Sequence, residues 1–548
     1  MATRTPPQPV AQAPSPAIDP IQRGIAAGWK TIDAGRLDKN LNLEVDVVVV
    51  GSGAGGGVTA DILASAGLSV LIVEEGPLKS SSDFKMRERE AYPQLYQESA
   101  GRRTRDKGVT IMQGRCVGGS TTVNWTSSFR TPPRTLAFWR DVHGIKGCDE
   151  AELAPWFARM EEQLSIAPWP VAPNQNNDAL ARGCAEIKVP SAAIRRNVKG
   201  CWNIGYCGMG CPTNAKQSML VTTIPAALAK GATLLYRARV LRLARAGNRI
   251  ASCEIAGLPG AGVAPGAWRV RVRARHFVLS AGAIGSPALL LRSELPDPNG
   301  TVGKRTFLHP TVISAAIMDA SVEAWSGAPQ TVYSDHFLDS VALEGPIGYK
   351  LEAAPLHPIL AAITLQGFGK AHQSWMSRLP KMQVTIALMR DGFSSLSQGG
   401  TVQLLDDGSP VLDYPLDDYL WDGARRALAT MAEIQFAAGA KIVMPMHEDA
   451  PPYRNWAEAK AGIAALPMGL LRTKVVSAHV MGGCAMGNDP RTSVVDERGR
   501  HHAIENLSVH DGSLFPTSIG ANPQLSIYAI VSRMAAGLAG ALTKNETA

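Results

Sequence analysis

Apolar residues in this chain follow two rhythms: short unbroken runs, and longer stretches spaced at helical period. The densest alternation of the two lies between Val45 and Gly76. Val47 to Val50 form a β-branched run short enough for a strand buried on both faces. Gly51, Gly53 and Gly56 follow as Gly-x-Gly-x-x-Gly. Ala60, Ile62, Leu63, Ala64 and Ala66 then read as a helix, and Gly67 stops it. Leu68 to Val73 form a second apolar strand ending at Glu74. Such a strand–helix–strand unit of about 30 residues suits a dinucleotide: the glycines permit a tight turn, close approach of a pyrophosphate and close helix packing. The pyrophosphate would rest on free N–H groups at the helix start. Glu74 is placed to accept hydrogen bonds from a ribose. The pattern does not by itself separate FAD from NAD.

The same pattern organises the rest of the chain. Residues 21–43 read as a lead-in helix and linker, and the charged stretch 79–107 as a surface excursion. Gln113 to Trp125 (QGRCVGGSTTVNW) reads as a glycine loop against a flat ligand or phosphate, with an ordinary Gly-Ser loop as the alternative. Residues 131–190, with a helix over Glu150 to Leu164, leave the strand–helix rhythm and suggest an inserted second domain. A helix is expected over Ser218 to Lys230 and a strand over Thr233 to Leu243. Further strands are expected at 250–256 and 268–280, the last entering a glycine turn and an apolar helix (SAGAIGSPALLL). From about residue 313 to 465 the pattern becomes α+β. KMQVTIALMR and GTVQLLDD read as strands, and Trp421 to Ala438 as an amphipathic helix. A closing helix fits Gln524 to Ala541.

Composition narrows the class. At 548 residues the chain exceeds one ordinary core, and 45% hydrophobic with 19% charged residues suits a globular enzyme. The net charge of +8 is scattered, which reads as a solvated basic surface, compatible with a phosphate-rich cofactor or an anionic membrane surface. No nucleic-acid motif is present. The first residues (MATRTPPQPVAQAPSPAIDP) read as a disordered tail without a secretory signal, and no long apolar run suggests a membrane span. Eight cysteines in so long a chain do not suggest a disulfide scaffold, so a reducing cytoplasm is the expected setting.

Five segments together resemble the glucose–methanol–choline (GMC) oxidoreductases, FAD enzymes acting mainly on alcohols. They are GSGAGGG with Glu74, GRCVGGSTTVN at 114–124, SAGAIGSPALLL at 280–291, HVMGGCAMG at 479–487, and VHDGSLFPTSIGANPQLSIYAIVSRMA at 509–535. Ser293-Glu294 departs from the Ser-Gly usual after the apolar helix start, outside the motif core. The resemblance is nearest to the long-chain-alcohol and cholesterol oxidase branch. It implies a Rossmann-like α/β FAD-binding domain (44–130, 215–312 and 466–548) interleaved with an α+β substrate domain carrying an antiparallel sheet (131–214 and 313–465). Residues 1–43 are left as tail and lead-in.

By the same resemblance, Gly51, Gly53 and Gly56 hold the pyrophosphate and Glu74 the adenosine ribose. Arg115, Gly118, Gly119, Ser120 and Asn124 line the pyrophosphate–flavin side, and Val240 meets the adenine through its backbone. Asp511 and Gly512 approach the middle of the cofactor. Asn522, Pro523 and Gln524 reach the isoalloxazine ring. His479 stands before the reactive flavin nitrogen as general base, since a neutral imidazole can accept the alcohol proton. Asn522 donates to the substrate oxygen. His309, His502 and His510 are read as packing histidines, and Cys116 and Cys484 as small packing residues.

Cys201, Cys207 and Cys211 give C-x5-C-x3-C-P on one glycine-rich loop. Three thiolates so placed could ligate an iron–sulfur cluster, as in some dehydrogenases this segment resembles, or pack as reduced thiols over the flavin. The expected activity is FAD-dependent oxidation of an apolar primary or secondary alcohol to aldehyde or ketone. Oxygen, a quinone or a cytochrome is the expected acceptor, in the cytoplasm or peripheral to a membrane. The alternatives are a sugar or polyol dehydrogenase with an iron–sulfur relay, and a non-redox hydroxynitrile lyase.

Overall fold

The computed structural model describes residues 19–544. The tail expected at the start of the chain lies, up to residue 18, outside them. Two eight-stranded sheets form the framework. In the first, Lys30–Asp33, Thr233–Tyr236, Val70–Glu74, Leu41–Val50 and Arg269–Leu279 lie side by side and parallel, in that order. Arg269–Leu279 divides its outer edge. Its first half pairs antiparallel with Arg249–Gly257, which continues to Ala238–Ala246, and its second half pairs parallel with Leu507–Val509. Val47, Val48 and Val49 are fully buried, as a β-branched run covered on both faces requires.

Helix Ala54–Ser65 follows the first glycine turn. It is buried almost all round, packed between the sheet and helices Thr223–Ala229 and Gln524–Lys544. The closing helix Gln524–Lys544 is long and apolar enough by composition to cross a membrane. Here it is spent on the interior, against Ala54–Ser65 and Glu150–Gln163.

The second sheet runs Val109–Ile111, Val475–Ser477, Thr311–Ile317, Met382–Met389, Tyr349–Glu352, Val332–Ser334 and Ala192–Ala193. Ile442–Pro445 also pairs with Thr311–Ile317. All its pairings are antiparallel except Val109–Ile111 with Val475–Ser477. Helix Asp418–Ala437, capped by the Asp417 carboxylate accepting from the Leu420 N–H at 3.0 Å, covers one face. A Cβ on its Gly423 would overlap Ile347 and meet Met389, which fixes the side of the sheet it occupies.

Four expectations are corrected. Residues 30–33 are an edge strand of the first sheet, not linker, and the next strand already starts at Leu41. The strand expected over 233–243 breaks at Arg237, which sits at φ 50° with its guanidinium held bidentate by Asp33. The break lets the chain leave the parallel sheet and begin the antiparallel arm. Residues 79–107 are more than a surface excursion: Glu88, Ala91 and Leu95 of helix Glu88–Leu95 are buried. Glu88 caps helix Pro358–Thr364 by accepting from the Ile359 and Leu360 N–H groups. Finally, Leu136, Trp139, Leu153, Phe157 and Met160 join the apolar core of the first sheet. Within 131–214 the stretch 179–189, such as Leu180 and Cys184, packs with the second, while Met209 returns to the first. Helix Glu150–Gln163 buries its apolar stripe where helix packing offers one, which is on the closing helix.

Candidate active site

Three segments expected at the cofactor meet at Ser52. Its hydroxyl donates to Glu74 Oε2 at 2.6 Å and accepts from the Gly118 N–H at 3.0 Å, while its own N–H donates to the same Glu74 oxygen at 3.0 Å. Glu74 Oε1 accepts from the Gly76 N–H at 2.8 Å. Burial pushes the Glu74 carboxyl up from its ordinary value, and the Ser52 and Gly76 donors pull against that. Ser52 was not singled out by the sequence; the only signal is its place between two motif glycines.

The two glycine loops close on each other. Gly119 has φ 55°, and a Cβ there would lie 2.7 Å from the Gly53 Cα. A Cβ on Gly56 would lie 1.9 Å from the Gly51 carbonyl oxygen, so the third glycine serves helix–strand approach. No side chain caps the Ala54–Ser65 helix at Gly53, which leaves its first N–H groups free to receive an anion. An uncapped twelve-residue helix behind a glycine turn, with a buried carboxylate at the next strand end, fits the pyrophosphate and ribose of FAD.

The other expected residues also make contacts within the protein. Arg115 faces Glu75, donating to it at 2.8 Å, and also donates to the Gly262 carbonyl. Glu75 is shared with Arg239 at 2.9 Å. Ser120 accepts from the Gly114 N–H at 2.9 Å and braces the loop from within. Val240 is buried in the antiparallel arm, paired with Ile255. Both oxygens of Asp511 are engaged inside the protein, by Ser513 on one side and by Gly282 and Ser286 on the other. This ties the 281–286 turn to the 511–513 turn, beside Gly512. Gln524 is likewise committed: it accepts from Asn124 at 2.7 Å and donates to the Ser127 carbonyl at 2.8 Å. Pro523 directly precedes this helix.

The candidate reacting residues lie at the second sheet and the segments beside it. Register and alternation place Ile313, Ile386, Glu352 and Tyr333 in one row, with Leu388 and Lys350 in the next, on the face away from helix Asp418–Ala437. His309 stands where this face meets the C-terminal segment. Its Nε2 accepts from the Gly520 N–H at 3.1 Å, and its Nδ1 lies 3.0 Å from His479 Nδ1. The rings meet edge to face with centroids 5.2 Å apart. A backbone N–H can only donate, so neutral His309 carries its proton on Nδ1 and gives it to His479 Nδ1. Neutral His479 then carries its own proton on Nε2. Burial, with the Lys350 ammonium adding to it, pushes His479 down to about 4. Burial and the neighbouring His479 hold His309 well below its ordinary value. His479 keeps some accessible surface, whereas His309 is buried.

Asn522 does not stand alone. Its Nδ2 donates to Glu352 Oε2 at 3.3 Å, and Gln330 donates to the same oxygen. Among the described residues, Glu352 Oε1 and Asn522 Oδ1 have no hydrogen-bond partner although both are buried. Burial pushes the Glu352 carboxyl up to about 7, against the pull of Lys350 and Asn522. Lys350 is 1% exposed, paired with Asp335 at 3.1 Å and lying 3.2 Å from the Phe129 ring centre. Glu352 and Lys350 were not singled out by the sequence.

The cysteine loop does not support a cluster. Among the described residues no group of three or more His, Cys, Asp or Glu side chains is gathered for a metal ion. Each thiol has a separate local partner: Cys201 accepts from the Asn203 N–H, Cys207 from Arg196 and Cys211 from the Lys216 N–H. The loop instead carries Lys216, whose buried ammonium donates to the carbonyls of Thr122, Asn124 and Cys207 at 2.6–2.8 Å. Burial pulls Lys216 down to about 8, with the nearby thiols opposing. The loop thus clamps the second glycine loop. Outside this region His510 Nδ1 lies 3.0 Å from Thr59 Oγ1 and His502 Nε2 lies 2.8 Å from Ser493 Oγ.

A mainly parallel sheet with a dinucleotide turn, together with an antiparallel sheet that leads to a histidine pair, is the build of a flavin oxidoreductase with a cofactor domain and a substrate domain. The chain belongs to the GMC oxidoreductase family, whose N-terminal model matches residues 45–311 and whose C-terminal model matches residues 396–530. Members are flavin-dependent enzymes acting on alcohols and similar substrates. An uncharacterised GMC-type oxidoreductase, y4nJ, of Sinorhizobium fredii is 30% identical over 91% of this chain and 95% of its own. The long-chain-alcohol oxidase FAO4A of Arabidopsis thaliana is 27% identical over 90% of this chain and 68% of its own. Among solved structures, pyridoxine 4-oxidase from Mesorbium loti shares the fold with a TM-score of 0.66 at 20% identity, over 89% of this chain and 98% of its own.

Proposed function

We propose that this enzyme oxidises an apolar primary or secondary alcohol to the aldehyde or ketone, with oxygen as electron acceptor. FAD, held by Gly51, Gly53, Gly56, Glu74 and the Gly118–Gly119 turn, supplies the hydride acceptor when bound. The likeness to a protein named a long-chain-alcohol oxidase supports the substrate class. So does the apolar ceiling of Ile313, Ile386, Leu388 and Tyr333. Oxidation of the alcohol removes a hydride from carbon and a proton from oxygen; oxygen takes up both electrons and two protons as hydrogen peroxide.

The observation that carries the mechanism is the pairing of His479 with His309 on one side and of Glu352 with Asn522 on the other. In the tautomer the Gly520 N–H imposes, His479 Nε2–H donates to the substrate oxygen and holds it as negative charge develops. That role differs from the general base expected for it, and its low proton affinity agrees with the change. Glu352, buried with one free oxygen and poised near neutrality, is the better proton acceptor. Asn522 orients that carboxylate and the substrate oxygen.

The first test is an anaerobic visible spectrum of the holoenzyme with a panel of alcohols. Flavin absorbance near ~450 nm should bleach with apolar alcohols, since hydride reaches the cofactor; no bleaching with any alcohol would sink the activity. The second is the pH dependence of kcat/KM. It should rise with pH through about 7, and Glu352→Gln should abolish that limb and lower the plateau by about 10²–10⁴. His479→Ala should lower kcat yet keep the limb near 7. A limb near 4 that disappears in His479→Ala and survives Glu352→Gln would return the base role to His479.

A further inference from the structure

We propose that the apolar face formed by helix Pro358–Thr364, Phe368 and the turn at Leu470 and Leu471 is a docking surface for an anionic phospholipid bilayer. Phe368 is 90% exposed, Leu471 62% and Ile363 59%, and Ile359 is exposed one helical turn before Ile363. These side chains belong to one surface. The Lys474 ammonium donates to the Ile363 carbonyl at 3.2 Å, joining the turn to the helix. The Leu470 side chain lies over Gly108, where a Cβ would stand 2.3 Å from its Cδ1, joining the turn to the loop before strand Val109–Ile111. Leu471 is held at φ 61°, a conformation unfavourable for leucine, at an exposed tip. Exposed large apolar side chains gathered on one face mark an interaction site.

The charge around the face selects the partner. Arg103 lies near Lys474, Lys107 precedes Gly108 under Leu470, Lys370 follows Phe368, and Lys474 bonds the Ile363 carbonyl. Asp106, beside Gly108, and Glu448, facing Lys474, offset part of this charge and leave the cations in excess. An apolar centre with a cationic rim matches acyl chains beneath anionic headgroups. A second copy of the chain fits less well, because a two-fold contact would set these cations against themselves. The face also joins the site along the chain. Strand Tyr349–Glu352 runs on into helix Pro358–Thr364, and Lys474 precedes the strand that leads to His479. Docking there would bring an alcohol dissolved in the bilayer to the segments carrying Glu352 and His479. This delivery rests on the alcohol-oxidation reading; docking does not.

The holoenzyme should co-sediment with vesicles of phosphatidylcholine containing phosphatidylglycerol, more weakly with phosphatidylcholine alone, and less at high salt. Ile363→Ser, Phe368→Ser and Leu471→Ser combined should abolish binding to both. Lys107→Glu with Lys370→Glu should cut binding to the anionic vesicles by about tenfold or more. Flavin absorbance and turnover of a short soluble alcohol should be unchanged in both variants, which shows that they fold. The proposal is overturned if the wild-type protein sediments with neither vesicle, or if the triple serine variant binds as well as wild type. It is also overturned if light scattering shows a wild-type dimer that the triple variant converts to monomer. Vesicle binding without turnover of any alcohol would overturn the alcohol reading and leave docking standing.

Discussion

At the scale of residues, the site is held by side chains that bridge motifs. Ser52 has no chemistry of its own, yet its hydroxyl links the first glycine turn, the acid at the next strand end and the second glycine loop. Removing it leaves the Gly118 N–H without this acceptor and Glu74 Oε2 with the Ser52 N–H alone, at a cost of about 1–3 kcal/mol. Ser52→Ala should therefore weaken FAD retention and leave the His479 region intact. Equilibrium dialysis and a thermal melt with added FAD would measure this, and unchanged affinity would remove Ser52 from the cofactor site. Glu352 shows the same point for the chemistry. Its carboxyl rises because the sheet buries it and falls back because Lys350 and Asn522 attend it. Neither neighbour's approach can be read from a strand of four residues.

At the scale of elements, the first strand–turn–helix is set by backbone approach. Gly55, which lies outside the Gly-x-Gly-x-x-Gly spacing, is as demanding as the motif glycines. A Cβ there would lie 1.7 Å from the His510 carbonyl oxygen. Gly55→Ala should force helix Ala54–Ser65 away from the 510–511 segment, and the displaced N–H groups should no longer meet the cofactor. We expect purified Gly55→Ala to carry little flavin and to melt lower; full flavin occupancy at wild-type stability would refute this. By contrast, Asp417 acts only on its helix. Asp417→Ala should cost about 1 kcal/mol in urea unfolding, as loss of an N-cap does, with kcat unchanged.

At the scale of the whole molecule, burial of neutral imidazoles sets the acid limit. Burial pushes His143, His479 and His501 down to about 4, and His276 and His510 to about 3. Unfolded histidines bind protons at about 6.5, so below that pH the unfolded chain holds more protons than the native one. Stability then falls as pH falls. Glu352, whose native form keeps a proton up to about 7, works in the opposite sense, as do Glu74, Asp391 and Asp511, whose carboxyls burial also raises, but the lowered histidines, which include His309 and His357, outnumber them. The melting temperature should drop progressively from about pH 6.5 to about 4. A melting temperature flat across that window would show that these histidines are protonated in the fold.

The sequence alone determined the dinucleotide unit and the GMC likeness. Local signals suffice there, because a glycine turn must lie between a buried strand and a helix, and its glycines are needed by backbone geometry whatever surrounds them. It determined the helix over Glu150–Gln163 but not the core it joins, because an apolar stripe states that a face is buried and not against what. Only the tertiary structure decided that Arg115 is held by Glu75, that the cysteine loop clamps rather than gathers, and that His309 meets His479 and Glu352 meets Asn522. Those outcomes depend on contacts between segments far apart in the chain. A proton's place on an imidazole, or a carboxyl's affinity for one, is set by neighbours that only the folded chain brings near.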